Sequence, residues 1–301
     1  MMKFCRYYLC LFIVHILLVS CEKMVADDGA VSSGSDSEAC LVIKVSSVVR
    51  SGESASWNSL MFVVYKDDKK VKEVLQNTGD QDFGTASLSL SPDTYRVLIL
   101  AHGSNGNPSR ARPTEIEFSN KIGYSDTFYC LDDITVTGEP QTRTVTLERA
   151  TSKIEFVTED PIPAEVKCIK FFYTGGSGTL NTLTGFGYKA SQQTVWMDVD
   201  ASMTGKPLEA ELYTILRDEE ASVKLTVTTY STEQGASTML QLQESTFTVP
   251  VVHHQISRMS GTFFTGEPNV EPGGGGEPNV SGLAYHVTVN EEWENTNYYT
   301  Y

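Results

Sequence analysis

The sequence predicts an all-β protein, and three observations lead to this fold class. Apolar residues alternate with lysine or threonine at a period of two, for example at Val223, Leu225 and Val227. Turn-forming segments such as residues 91–93 and 175–178 separate the apolar runs, and no long helical stripe is present. A period of two with threonine on the polar side is typical of half-buried antiparallel strands. Many short strands with regular turn signals favour a sandwich or a barrel.

Strand-like runs follow one another through the whole body of the chain. Each run either alternates or is rich in β-branched residues, which fit the pleated surface of a sheet. Two further alternating runs are centred on Val145 and Val287. The other predicted strands cover residues 41–49, 60–65, 86–90, 94–101, 134–137, 153–157, 167–173, 208–216 and 247–252.

Length and charge limit the classes of function. The chain has 301 residues, a formal net charge of −15 and 40% hydrophobic residues. At ~150 residues per domain, the length predicts two domains, each able to bury a core. Because nucleic-acid binders need basic faces for phosphates, the acidic charge argues against a nucleic-acid partner. It also works against electrostatic adsorption to anionic lipids.

The first 21 residues have the pattern of a bacterial lipoprotein signal. Lys3 and Arg6 precede an apolar run over residues 9–19, which is too short to span a bilayer but fits a signal peptide. The run ends in a lipobox, which consists of Leu18, Val19, Ser20 and Cys21. We predict that residues 1–20 are removed and that the Cys21 thiol is acylated, for example with palmitate. The alternative is an ordinary signal peptide with a chance cysteine.

Residues 21–39 are small, polar and acidic, a composition that cannot bury a core. They predict a flexible tether between a lipid-anchored Cys21 and the first domain. Several acyl chains on one cysteine anchor a protein stably without help from its surface. The early acidic residues, among them Asp27 and Asp28, resemble surface-export signals of Bacteroidetes lipoproteins. The expected location is therefore the outer membrane, at the cell surface.

Two domains are expected, over residues 40–149 and 150–301. The second includes a glycine-rich hinge at 266–282, in which Glu-Pro-Asn-Val occurs twice around four glycines. Beyond it lies one predicted strand, residues 283–293. A single strand is not stable alone, so it must pair with its own domain or with another chain. By alternation its inward face would consist of Tyr285, Val287, Val289 and Trp293.

The sequence contains few groups arranged for catalysis or metal binding. Its histidines lack the spacings of zinc sites. On a strand, His253 and His254 would point to opposite faces and would not share one ion, so a place in a turn or at a strand end is the favoured interpretation. The glycine-rich segment 175–187 lacks the ending of a phosphate loop and is interpreted as a hairpin loop. No nucleophile elbow is present. We therefore expect no enzyme activity, no metal and no cofactor.

Three cysteines remain in the predicted mature body, and their pairing is left open by the sequence. An exported protein can form a disulfide, but an odd number leaves at least one thiol unpaired. Buried thiols that act as small apolar side chains are the favoured interpretation. The three are Cys40, Cys130 and Cys168.

Several connected motifs carry a resemblance to a known family. They include Thr-Tyr-Arg-Val-Leu-Ile-Leu-Ala-His at 94–102, Ser-Asp-Thr-Phe-Tyr at 125–129, Ile-Thr-Val at 134–136 and Leu-Glu-Arg-Ala-Thr-Ser-Lys-Ile at 147–154. Residues 174–187 and 249–263 extend the match. The chain resembles the FimB/Mfa2 family of Bacteroidetes fimbrial subunits over roughly residues 40–295. The resemblance implies two tandem transthyretin-like Greek-key β-sandwiches behind a lipidated N-terminus.

The family resemblance also implies a function. Its anchor members hold the base of a fimbrium in the outer membrane, and related shaft fimbrillins lose their first strand to an Arg-specific protease. Arg50 follows the first predicted strand, so a shaft or tip role stays open. The leading hypothesis is a non-enzymatic structural lipoprotein that joins fimbrial subunits by β-strand addition. The alternative is a surface glycan- or ligand-binding lipoprotein whose tryptophans stack on sugar rings, namely Trp57, Trp196 and Trp293.

Overall fold

A computed structural model of the chain describes residues 38–45, 57–103, 106–120, 124–265 and 286–290. Every regular element within these ranges is a β-strand, which confirms the all-β fold class. The strands form two tandem sandwiches. Within the same ranges, we find no helix with the length and hydrophobicity needed to cross a membrane.

The first sandwich packs a three-stranded sheet on a five-stranded sheet. The strands are β1 (Ala39–Val45), β2 (Ser59–Lys66), β3 (Lys69–Asn77), β4 (Thr85–Leu90), β5 (Asp93–His102), β6 (Ser109–Arg112), β7 (Glu115–Glu117), β8 (Phe128–Val136), β9 (Gln141–Val145) and β10 (Glu148–Arg149). The sheet orders are β4-β1-β9 and β10-β8-β5-β2-β3. Alternation directs Leu41 and Ile43 of β1 into the core, where they join Phe62, Val97 and Ile99.

The second sandwich packs two four-stranded sheets. Its strands are β11 (Ser152–Pro161), β12 (Cys168–Thr174), β13 (Thr179–Asn181), β14 (Gln193–Asp198), β15 (Pro207–Thr214), β16 (Glu220–Tyr230), β17 (Gln241–Val252), β18 (Ile256–Gly261) and β19 (His286–Asn290). The sheet orders are β15-β11-β18-β19 and β14-β12-β16-β17. Four phenylalanines meet in the core. The ring centroid of Phe156 lies 5.5–5.9 Å from those of Phe171, Phe247 and Phe263.

The two sandwiches share one topology. In the first, β1 pairs antiparallel with β4 and parallel with β9. In the second, β11 pairs antiparallel with β15 and parallel with β18. The facing sheets follow the same order, β3-β2-β5-β8 and β14-β12-β16-β17. Under this correspondence β19 has no equivalent among the described strands of the first sandwich, so it is an addition to the common fold.

The strand registers define the ends of each sandwich. β1 begins opposite Leu90, at an end of the first sandwich that we call the near pole. The chain leaves the opposite end at Arg149, which is paired with Phe128, and β11 starts three residues later. The far pole of the second sandwich is the end where Cys168 is paired with Tyr230. In each sandwich, the strands therefore run between its pole and the passage to the other sandwich.

Candidate functional site

The terminal strand β19 extends the β15-β11-β18 sheet of its own sandwich. It pairs antiparallel with β18 along its full length, from His286 opposite Ser260 to Asn290 opposite Ile256. Val287 stands opposite Met259 and Val289 opposite Ser257, and both of these β18 residues are buried. Both valines of β19 therefore occupy register positions opposite buried residues of β18.

The connection between β18 and β19 is much longer than their pairing requires. β18 ends at Gly261 and β19 begins at His286, yet these ends are neighbours because Ser260 is paired with His286. Adjacent antiparallel strands are commonly joined by two to five residues. The chain uses residues 262–285 instead, so the linker length does not force β19 to pair within its own chain.

The two edges of the β4-β1-β9 sheet are protected against the addition of another strand in different ways. At β4, the Gln76 amide donates to the Thr85 carbonyl oxygen at 2.7 Å, and the Lys72 ammonium donates to the Ser89 carbonyl oxygen at 2.9 Å. At β9, the exposed Arg143 is paired with the core-facing Ile43. An inward-facing charge at an edge opposes the addition of another strand. The corresponding edge, β18, carries Met259 and Ser257 and accepts β19.

A buried ion pair holds the point where the chain passes between the sandwiches. Arg149 donates from Nε to Oδ1 of Asp126 at 2.9 Å and from Nη2 to Oδ2 at 3.0 Å. The Thr151 hydroxyl donates to the same Asp126 Oδ1 at 3.1 Å. The Arg149 guanidinium also lies 4.6 Å from the centroid of the Phe128 ring. Bidentate geometry fixes both position and orientation, so these contacts immobilise the connection.

The next residues continue this junction into the second sandwich. Ala150 and Thr151 are fully buried. The Ser152 hydroxyl accepts a hydrogen bond from the His254 backbone N–H at 3.0 Å. The Lys153 ammonium is buried between the carboxylates of Glu155, at 2.8 Å, and Glu211, at 3.0 Å. The linker is therefore part of a packed interface.

A small third sheet joins the sandwiches directly. Its order is β13-β7-β6, in which β6 and β7 belong to the first sandwich and β13 to the second. Leu180 of β13 is paired with Ile116 of β7, and both are fully buried. They belong to an apolar cluster on the outer face of the five-stranded sheet, which also includes Met61, Val63, Tyr65, Leu98, Leu100, Tyr129, Ala150 and Ile215. The sandwiches are thus held together by backbone pairing as well as by packing.

The glycine-rich segment 175–187 lies in the connection between the antiparallel neighbours β12 and β14, as expected of a hairpin loop, and it also packs against both sandwiches. A Cβ atom at Gly176 would lie 1.9 Å from Thr214 Oγ1, and one at Gly187 would lie 2.1 Å from Ser177 Cβ. The Tyr124 hydroxyl of the first sandwich donates to the Ser177 carbonyl oxygen at 2.8 Å. Close packing explains the glycines.

A family model for a family of unknown function (DUF6562) matches residues 58–298. The chain belongs to this family. A search of curated proteins finds no match for this DUF6562 protein.

Solved structures with similar coordinates come from Bacteroidetes. A candidate adhesin from Bacteroides ovatus matches with a TM-score of 0.47 and 13% identity, covering 74% of this chain and 88% of that chain. The fimbrial anchor protein Mfa2 from Porphyromonas gingivalis matches with a TM-score of 0.43 and 11% identity, covering 84% and 97%. Mfa2 is thus among the matched structures, in agreement with the sequence resemblance. At this similarity no residue's role is transferred.

The structure of the DUF6562 protein places only part of the predicted site. Val287 and Val289 lie in β19, as predicted for the terminal strand. Trp57 packs on Phe83 at 5.4 Å between ring centroids, whereas Trp196 lies on an outer sheet face. The predicted residues outside the described ranges are Leu18, Val19, Ser20, Cys21, Arg50, Tyr285 and Trp293.

The histidine pair of the DUF6562 protein lies in a turn, which was the favoured interpretation of these residues. The rings of His253 and His254 stack with centroids 3.6 Å apart instead of pointing to opposite faces. The reason is that they lie in the turn between β17 and β18, where His254 has a φ of 57°. This left-handed conformation breaks the strand alternation. Phe186 contacts His253 at 4.3 Å between ring centroids.

The described cysteines of the DUF6562 protein are thiols rather than disulfides, namely Cys40, Cys130 and Cys168. Among the residues that the structure describes, no group of three histidine, cysteine or carboxylate side chains is placed to hold a metal ion. Sequence reasoning cited the junction motifs only as a resemblance and did not identify their contacts. The signal was present in the polar triplet at 125–127 and in Arg149 and Thr151, which stand between strand patterns.

Proposed function

We propose that this DUF6562 protein is a non-enzymatic structural lipoprotein of a bacterial fimbrium, most simply its outer-membrane anchor. It would be held in lipid by acylated Cys21 and would join fimbrial subunits by β-strand addition. The observation that carries the proposal is the terminal strand β19, which occupies a sheet edge at the end of a long linker. Main-chain hydrogen bonds would supply affinity, and the alternating side chains would set the register.

The arrangement of the two sandwiches supports an anchoring role. The predicted tether joins the structure at β1, which begins at the near pole. The linker to β19 leaves and returns at the far pole, where Ser260 is paired with His286. Between the poles, the Arg149–Asp126 pair and the β13-β7-β6 sheet join the sandwiches. Such a body suits a protein that connects a membrane attachment at one end with a partner at the other.

A shaft or tip role has one observation in its favour. β1 lies between β4 and β9, and its residues Ala39, Leu41 and Ile43 are buried. Removal of β1 after cleavage near Arg50 would expose two strand edges and an apolar groove. A donated strand with alternating apolar residues could fill that groove. The same mechanism would then join successive subunits of a shaft.

A deletion strain distinguishes these roles through its fimbrial subunit ladder. We expect loss of an anchor to leave polymer ladders intact but to release them from unboiled membrane fractions into the medium. Loss of a shaft subunit should remove the ladder, and loss of a tip subunit should leave it attached to cells. Complementation with the unaltered gene is the control. Ladders of unchanged length and attachment would contradict the proposed anchor role and a shaft role.

A further inference from the structure

One outer sheet face of the second sandwich carries an unusual row of aromatic side chains. The face belongs to the β14-β12-β16-β17 sheet and is directed away from the core residues Phe171 and Val227. Outward positions of a half-solvated antiparallel sheet are usually polar. Here three of them are aromatic and partly exposed: Phe172 on β12, Trp196 on β14 and Tyr230 on β16.

These rings form a continuous surface across three strands. The Trp196 and Tyr230 ring centroids are 5.6 Å apart, with an angle of 37° between the planes. Lys170 stands opposite Trp196 in the register, and its ammonium lies 5.6 Å from the Trp196 ring and 5.8 Å from the Phe172 ring. Lys170 thereby links the two rings. We call Phe172, Trp196, Tyr230 and Lys170 the platform.

Hydrogen-bonding groups lie beside the rings on the same face. Thr228 is opposite Lys170, and its hydroxyl donates to Glu244 Oε2 at 2.9 Å. The Thr226 and Thr246 hydroxyls are 2.9 Å apart, and Thr226 is opposite Phe172. The exposed Asp198 is two residues beyond Trp196 on β14. Hydroxyl and carboxylate groups therefore flank the apolar ring surface of the platform.

The platform reaches the far pole of the molecule. Tyr230 is paired with Cys168 and Gln241 at that end. The neighbouring Leu240 and Leu242 are 55% and 46% exposed, so apolar surface continues beyond the rings. If the chain is tethered through its N-terminus, this surface faces away from the membrane, where a ligand outside the cell can reach it.

We propose that the platform is a binding site for a neutral glycan. A pyranose has an apolar face of C–H groups and a rim of hydroxyls, which matches rings interleaved with threonine and carboxylate groups. The CH face would stack on Trp196 and Tyr230, whose separation is comparable with the size of one sugar ring. The exposed Glu244, which the buried Thr228 holds in place, would hydrogen-bond the hydroxyl rim.

Charge favours a neutral glycan over sulfated or sialylated ones. Lys170 is the platform's single cation, and the carboxylates of Asp198 and Glu244 flank it. The whole chain carries a net charge of −15, which repels polyanions. The centres of protein–protein interfaces are depleted of charged residues. The polar and charged groups beside the rings therefore distinguish this face from such an interface.

The test uses the full-length chain with Cys21→Ser, which is made without acylation. Affinity gel electrophoresis with laminarin, xylan, β-mannan and pectic galactan should show retardation by at least one polysaccharide. Calorimetry with oligosaccharides of that polysaccharide should then give an affinity. Trp196→Ala should weaken it by about tenfold or more, as expected for loss of a central aromatic contact. Tyr230→Ala should weaken it in the same direction.

Tyr188→Ala is the matched control, because Tyr188 is 37% exposed, has Lys189 5.4 Å from its ring and lies outside the platform. It should bind like the parent chain. Thermal melting identifies any misfolded variant, and Trp196→Leu and Glu244→Gln then replace Trp196→Ala. Failure of all four polysaccharides to retard the parent chain would overturn the proposal, and so would equal binding by a folded Trp196→Ala chain. If the parent chain binds no glycan and the Trp196→Ala chain no longer captures fimbrial subunits, the face is instead a binding site for a protein partner.

The glycan site is independent of the proposed anchor function. The deletion-strain ladders report fimbrial attachment, whereas the electrophoresis reports sugar binding by the isolated chain. Either result can fail while the other holds.

Discussion

Arg149 and Asp126 form a two-point ion pair at the passage between the sandwiches, with N–O distances of 2.9 and 3.0 Å. Their side chains are 17% and 4% exposed. Arg96 and Asp133 form the same bidentate contact at 2.8 and 3.1 Å on the surface of the first sandwich, where the side chains are 36% and 59% exposed. The chain thus contains a buried and an exposed version of one interaction.

The buried pair should be much more sensitive to removal of one partner. Arg149→Met leaves the Asp126 carboxylate buried without its cation, which typically costs about 3–5 kcal/mol. The exposed counterpart, Arg96→Met, should cost about 0–1 kcal/mol. Urea denaturation of both variants measures the difference. Equal destabilisation would show that Arg149 does not hold the junction.

The terminal strand provides the second prediction. Val287→Asp together with Val289→Asp places two carboxylates opposite buried Met259 and Ser257. We expect a lower melting temperature, since burying an unpaired polar group costs about 1–3 kcal/mol and a charge costs more. Amide hydrogen exchange in β18 should accelerate because its edge loses a partner.

Thr288→Asp is the matched control for this change. Thr288 stands opposite the partly exposed Arg258, so the register places the new carboxylate beside a cation. Stability should change little, since such cross-strand pairs contribute about 0.2–1 kcal/mol. Normal melting of the double variant combined with failed assembly would instead indicate that β19 is donated to a partner. No effect on melting or assembly would remove the support for strand addition.

The third prediction concerns thiol reactivity. Burial raises the pKa of Cys130 from 9.0 to about 11, with a smaller contribution from the Asp132 carboxylate. Because the thiolate is the reactive form, at pH 8 the two-unit increase lowers its amount about a hundredfold. Iodoacetamide should therefore modify Cys130 slowly in the folded chain at pH 8 and rapidly in denaturant. Mass spectrometry of peptides containing Cys130 measures both rates, and rapid labelling of the folded chain would contradict the raised pKa of this partly buried thiol.

The fourth prediction tests the lipid anchor. Cys21→Ser removes the predicted acylated thiol, so radiolabelled palmitate should enter the unaltered protein and not the variant. The variant should also leave the membrane fraction, because the acidic chain has no other predicted attachment. Ser20→Ala, which keeps a small residue in the lipobox, is the control and should still be labelled. Equal labelling of the Cys21→Ser variant and the unaltered protein would remove the lipobox argument.

Alternation predicted the central strands well because their burial is one-sided or complete. The run 94–101 corresponds to β5 (Asp93–His102), and 60–65 corresponds to β2 (Ser59–Lys66). Residues 153–157 lie within β11 (Ser152–Pro161). In each case, the apolar side chains lie in a sandwich core, and the period of two predicts which side chains face that core.

Edge and bridging strands escaped prediction for physical reasons. The sequence of β3 is Lys-Lys-Val-Lys-Glu-Val-Leu-Gln-Asn. Because β3 lies at an exposed sheet edge, it tolerates many charged residues, and its sequence therefore resembles that of a loop. β7 and β13 have three residues each and exist because they pair across two distant segments. The local sequence around Leu180 contains no information about Ile116. The terminal strand was predicted, but its choice of β18 as partner depends on an edge that only the folded sandwich presents.

The position of β1 in the middle of its sheet has a mechanical consequence. The hydrogen bonds of β1 to β4 and β9 lie across the strand axis, so a pull along that axis loads them in shear. Bonds loaded in shear must yield together, whereas bonds opened from one end yield one after another. The first strand would therefore resist tension along its own axis as a unit.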